Sequence, residues 1–398
     1  MRRNSCHGLC VASACLVLCV LLLGLAPAAN AAQANQGLQD GWAVGDSGQI
    51  TGGQLLSDEL GYIQTAGAGW VRVNFRLGKC FATWTSIGCN GLTALQTYDQ
   101  VVANIQAKNL KVLGLVTSEA WPGQQSDWTA NNVENAGGNG SNAYISGFVL
   151  NAAGVLASHY NGTNGALIAQ WEVWNEPNAW ASNPSPGVYA GGSFIYPSNF
   201  AQLMIQARSA IKTANANSVV VSGGLLGLDS GGSHKGAHNG YKGKSGGGNC
   251  PSTRSSGGDY LCSMYSMGWQ HAGWVKGAGP FDAIGQHLYI NQATSTSNKT
   301  VQSYLSDLRN VYVKFGGELS SKQTQVTEFG WSTGSVSQTV QAQNLQTAYQ
   351  TFKGTSYVGR AYWYRTQDLG VSGDYYGILD TNGNQKAGYA SYQQYATY

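Results

Sequence analysis

The chain has 398 residues, of which 10% are charged, with a net charge of +3. No basic run is present, which excludes a nucleic-acid partner recognised by charge. The 55 glycines, 12 tryptophans and 22 tyrosines suit a surface that meets neutral, hydroxyl-rich ligands, because aromatic rings pack on the C–H faces of sugars while amides bond their hydroxyls.

Arg2 and Arg3 precede an apolar run over Val11–Leu25 and a small-residue site at Ala29, Asn30 and Ala31. This pattern predicts a cleaved secretory signal over residues 1–31, and an extracellular protein that leaves the membrane with its removal. The apolar run is too short for a convincing membrane span. Residues 32–398 are expected to form one catalytic domain acting as a monomer.

Cys6, Cys10, Cys15 and Cys19 fall within that leader, leaving Cys80, Cys89, Cys250 and Cys262. An even number in an exported chain, paired closely in sequence, predicts disulfides Cys80–Cys89 and Cys250–Cys262. The rival is a four-cysteine zinc site, and neither pair has its tight spacing.

Along the mature chain, short β-prone runs alternate with amphipathic stretches. Strands are predicted at 42–44, Trp70–Phe75, Lys111–Val116, 169–176, 218–222, 281–290, Gln323–Phe329 and Val358–Tyr364. Helices are predicted at 54–64, 93–108, 143–160, 200–214, 260–275, 301–315, 340–353 and 388–398. Strand followed by helix, about eight times, is the pattern of a (β/α)8 TIM barrel. A doubly wound open sheet would need a glycine-rich first βα turn, and none is found. The long segments 118–142, 177–199 and 223–258 all follow strands, so one rim of the barrel is built up.

Two runs end in a carboxylate. Trp171–Asn178 reads WEVWNEPN, with Glu176 on its last strand-like position, and Glu328 closes a second β-prone run before Phe329 and Gly330. Paired glutamates at strand ends suggest carboxylate chemistry at a barrel mouth. Glu172 lies deeper on the same strand as Glu176, so a structural carboxylate paired with a cation is expected there. His234 and His238 have metal-pair spacing, but the surrounding glycines deny the helix, and neither a metal nor a cofactor is expected.

In motif order the chain resembles the retaining glycoside hydrolases of clan A, most nearly the cellulase-like and β-xylosidase-like families. The resemblance implies Glu176 as acid/base, Asn175 as the amide that holds a sugar hydroxyl, and Glu328 as nucleophile. It also implies Arg72 beside the nucleophile, His287 and Tyr289 in the site, and Trp363 as the floor of the subsite. Trp121, Trp180 and Trp331 sit in loops after strands, where sugar stacking is expected. The implied activity is hydrolysis of β-linked oligo- or polysaccharides, with a β-glucan as first guess and a xylan or exopolysaccharide second. A non-hydrolytic carbohydrate-binding barrel and a transglycosylase on the same residues are the alternatives.

Overall fold

The structure is a computed structural model that describes residues 36–39, 43–50, 57–131, 133, 142–163, 165–179, 193–227, 255–370 and 373–397. The expected leader, Trp180, His234, His238 and Cys250 lie outside the described residues, and with them the expected Cys250–Cys262 pairing.

Eight parallel strands close into a barrel in sequence order. They are β1 Gly37–Gln39, β2 Trp70–Phe75, β3 Lys111–Val116, β4 Gln170–Asn175, β5 Val219–Gly227, β6 Ala283–Leu288, β7 Gln323–Phe329 and β8 Val358–Tyr364. The first strand departs from expectation. Val44 makes only an isolated bridge to Ile50, whereas Gly37–Gln39 pairs with β2 on one side and β8 on the other. Three residues carry no readable alternation, and this strand is specified by the two neighbours it joins.

Between strands run helices such as Ala94–Ala107, Pro197–Ala214, Ser256–His271 and Gln338–Lys353. Local sequence sets their ends. Thr93 caps the first, its hydroxyl accepting from the Gln96 amide while the Gln96 side chain accepts from the Thr93 amide. Pro197 occupies the first turn of the second, where its missing N–H costs nothing.

The outer face of each strand packs on the helices. Trp171, for example, lies 5.7 Å from the Phe75 ring, and Gly114 on β3 makes room for it, since a Cβ there would stand 2.5 Å from the indole. Inside the barrel, Trp70, Leu113, Val221, Ala283 and Tyr362 form a small apolar base. Arg360 covers that base, its guanidinium 3.9 Å from the Trp70 ring centroid and bonded to Gln170. Above the base the barrel interior turns ionic.

Cys80 and Cys89 are joined as expected, with Cα atoms 5.0 Å apart, and pin the loop after β2. Among the described residues, no helix is long and apolar enough to cross a membrane.

Candidate active site

Arg72 is the centre of the ionic layer. It lies inward on β2, one pleat above Trp70, and its side chain is fully buried. Nε donates to Glu172 Oε2 at 2.5 Å, Nη1 to Glu328 Oε1 at 2.6 Å and to Gln39 Oε1, and Nη2 to Asn175 Oδ1 at 2.9 Å. Burial works against its charge, and Glu172 and then Glu328 more than offset that, holding the guanidinium firmly ionised. Glu172 is the buried carboxylate that the sequence leads one to expect, paired with a cation and also accepting from the Gly224 amide and the Thr327 hydroxyl, each at 2.9 Å.

Two local irregularities bring Glu176 and Glu328 to the mouth. On β4, Trp174 and Glu176 take positive φ of 76° and 44°, a conformation that costs a non-glycine residue of order 1–3 kcal/mol. The indole of Trp174 holds the twist in place: its Nε1 donates to the Ser193 carbonyl at 2.6 Å, and its ring packs on Trp128 and Phe148. Strict alternation would send Asn175 outward; the twist instead lets Asn175 reach Arg72 and Glu176 reach His287.

On β7 the pairing with β6 passes from Gln286↔Val326 to His287↔Glu328, so β7 carries one extra residue. The same step is seen against β8. This bulge allows Thr327 to bond Glu172 below while Glu328 still faces the mouth.

At the mouth, His287 Nδ1 lies 2.8 Å from Glu176 Oε1 and 3.7 Å from Glu328 Oε2, while the Tyr289 hydroxyl donates to Glu328 Oε2 at 2.7 Å. One donor atom from each of Glu176, His287 and Glu328 falls within 4.8 Å of the others. Such donor types can suit a cation, but Arg72 already supplies positive charge 2.6 Å from Glu328, and we assign no metal here.

Burial raises the carboxyl of Glu328, yet His287, Arg72, Tyr289 and Gln39 together carry it below the ordinary range, so it is ionised. Burial also opposes charge on His287. Glu328 and then Glu176 outweigh it and lift the imidazole above its usual value. Tyr289 is pushed well above the ordinary phenol range by burial and by Glu328, and stays a protonated donor.

The expected aromatic subsite is placed differently. Trp363 faces outward from β8 and is fully buried, its ring 5.2 Å from Phe329 and 6.1 Å from Trp331. Tyr362 and Tyr364 take the inward positions. The side chain beside the site is therefore Tyr364, with its ring 6.2 Å from Tyr289 and 5.5 Å from Tyr376. Trp331 is likewise buried, its Nε1 donating to the Ile290 carbonyl at 2.8 Å, so it anchors a loop and offers no stacking face. Trp121 is half-buried and packs against the core, with its indole beside Gly147.

With this geometry in view, the comparisons are informative. Residues 251–392 match the family profile described as the glycosyl hydrolase catalytic core. A search of curated proteins by sequence gave no match. Similar solved structures include a family 39 glycoside hydrolase from the gut symbiont Bacteroides cellulosilyticus WH2, with TM-score 0.57, 15% identity, and 91% of this chain and 63% of that one covered. A glucosidase from Croceicoccus marinus gives 0.59 and 15%, covering 92% and 66%. A GH5-4 broad specificity endoglucanase from Clostridium acetobutylicum gives 0.56 and 12%, covering 92% and 97%. The chain thus spans less than two thirds of the first two relatives and nearly all of the third.

The closed parallel barrel is the fold that this chain shares with these solved glycoside hydrolases. Within that barrel, the stretch similar to the glycosyl hydrolase catalytic core is residues 251–392, which run from just ahead of the helix before β6 into the chain's last helix.

Proposed function

We propose that the chain is an exported, retaining β-glycosidase that hydrolyses β-linked oligo- or polysaccharides by double displacement. The observation that carries this reading is the approach of Glu176 and Glu328, which offer carboxylate oxygens within 4.8 Å of each other. Retaining enzymes hold their two carboxyl groups about 5–5.5 Å apart and inverting ones about 6.5–9.5 Å, because the latter must seat a water between them.

In the first step Glu328 attacks the anomeric carbon as Glu176 delivers its proton to the departing glycosidic oxygen, and the C–O bond to the aglycone breaks. Arg72 and Tyr289 stabilise the nucleophile's charge before attack and receive it again as the glycosyl ester is cleaved. Ester formation removes the charge of Glu328, so Glu176 can act as base toward the incoming water. Asn175 gives its oxygen to Arg72, and this orientation leaves its NH2 to donate to a sugar hydroxyl. The endoglucanase and glucosidase among the similar structures favour a β-glucan as the first substrate to try, with a xylan or exopolysaccharide second. Export rests on the leader pattern of residues 1–31.

The test is a Glu176→Ala variant supplied with azide and an activated aryl β-glycoside. A β-glycosyl azide is expected; an α-azide, or no azide product from a substrate that the unaltered protein hydrolyses, refutes the assignment. On natural glycans, reducing sugar marks hydrolysis, longer chains mark transfer, and unchanged glycan marks binding alone.

A further inference from the structure

Gln39 ends β1 at the seam where the barrel closes, opposite Arg72 on β2 and Tyr364 on β8. Its position in the sequence gives no hint of function, and its side chain is buried in the mouth, only 8% of the residue being exposed. Arg72 Nη1 donates both to Gln39 Oε1 and to Glu328 Oε1. A guanidinium can only donate, so the Gln39 amide must turn its oxygen to Arg72. Through Nη1, Arg72 on β2 thus ties Gln39 on β1 to Glu328 on β7.

Taking Glu328 as the nucleophile, as proposed above, we propose that Gln39 is a positioning residue that locks Arg72 and Glu328 into the arrangement from which the carboxylate attacks. It accepts one of the two bonds that Nη1 donates and so turns the other toward Glu328, whose second oxygen accepts from Tyr289. Other charged or titratable groups facing Glu328 are Glu176 on β4, His287 and Tyr289 on β6, Tyr364 on β8, and Glu172 through Arg72.

The experiment uses the full chain labelled with 13C at the glutamate carboxyls, with the Glu328 resonance assigned by its loss in Glu328→Gln. Gln39→Met keeps the volume and removes the acceptor that holds Arg72 Nη1; with the guanidinium released from its place against Glu328, the Glu328 titration midpoint is expected to rise by about one pH unit, the size of one weakened charge-assisted bond. Gln39→Glu sets a second carboxylate beside the first and should raise the midpoint further. If Gln39→Met does not fold, Gln39→Asn, one methylene too short to reach Arg72 Nη1, is expected to show the same shift. A side chain that merely fills space would lower the melting temperature and leave the midpoint in place. An unmoved midpoint in the folded variants overturns the proposal. The titration needs no substrate, so a failure of hydrolysis and a failure of this assignment are separate results. In the active enzyme the acid limb of kcat/KM should move with the midpoint, and kcat should fall more than KM changes.

Discussion

Replacing Arg72 by Met tests the ionic layer where it is most exposed to failure. Arg72 and Glu172 have no side-chain exposure and Glu328 has 8%, so removal of the guanidinium leaves two buried carboxylates without that cation, held by their neutral donors and, for Glu328, by His287. Breaking a buried pair by deleting one partner typically costs about 3–5 kcal/mol, a large part of the roughly 5–15 kcal/mol that holds a domain together. The pH dependence has a definite sign. The folded pKa of Glu328 lies below its unfolded value, so its contribution is present above the unfolded pKa and disappears as the pH falls through the folded one. In Arg72→Met burial is no longer opposed by Arg72, the carboxyl is pushed upward, and stability declines as the pH rises. Urea unfolding followed by tryptophan fluorescence at about pH 7 and about pH 4, on either side of ordinary carboxyl ionisation, should therefore show a gap between the two proteins that is wide at the first and narrow at the second. An equal gap at both, or a loss below about 1 kcal/mol at neutral pH, would refute the reasoning.

Other consequences are as direct. A Cβ on Gly224 would stand 2.1 Å from His287 Nε2 and 2.6 Å from Thr327 Oγ1, so Gly224→Ala should displace the imidazole and lower kcat/KM by about 100-fold, the penalty of a misplacement near 1 Å. The same variant with unaltered kinetics would show that His287 need not be held there. Trp363→Ala should cost about 3–5 kcal/mol in unfolding with little change in KM, whereas Tyr364→Ala should cost kcat/KM roughly ten-fold with a smaller loss of stability. The opposite ranking would return Trp363 to the subsite. Cys80→Ser with Cys89→Ser opens a bridge of sequence separation 9, for which chain entropy gives roughly 2.5 kcal/mol, measurable by thermal unfolding under oxidising conditions.

Much of the barrel is visible in the sequence because its strands appear as short β-prone runs between amphipathic stretches. Trp70–Phe75, Lys111–Val116, Gln323–Phe329 and Val358–Tyr364 form strands with the expected bounds. Glu176 and Glu328 stand out because each ends such a run. What is hidden follows from departures from period two. The aromatic sequence Tyr362, Trp363, Tyr364 gives no polar contrast to mark which face is inward, so Trp363 is easily taken for the subsite residue and Tyr364 overlooked. The extra residue in β7 and the left-handed turns at Trp174 and Glu176 re-aim side chains without any glycine or proline at those positions to announce them. Gln39 is missed for a different reason: three residues of strand are held by neighbours on either side and contribute no periodicity of their own. The loop tryptophans divide by burial, which composition does not show, and Trp331 belongs to the core.

The claim on which the mechanism depends is that the carboxyl groups of Glu176 and Glu328 meet too closely to admit a water between them. Its most direct test is proton NMR of the anomeric signal during the first moments of hydrolysis of an aryl β-glycoside. The β-anomer should appear first and mutarotate to the mixture; the α-anomer appearing first would mean inversion and would contradict the arrangement.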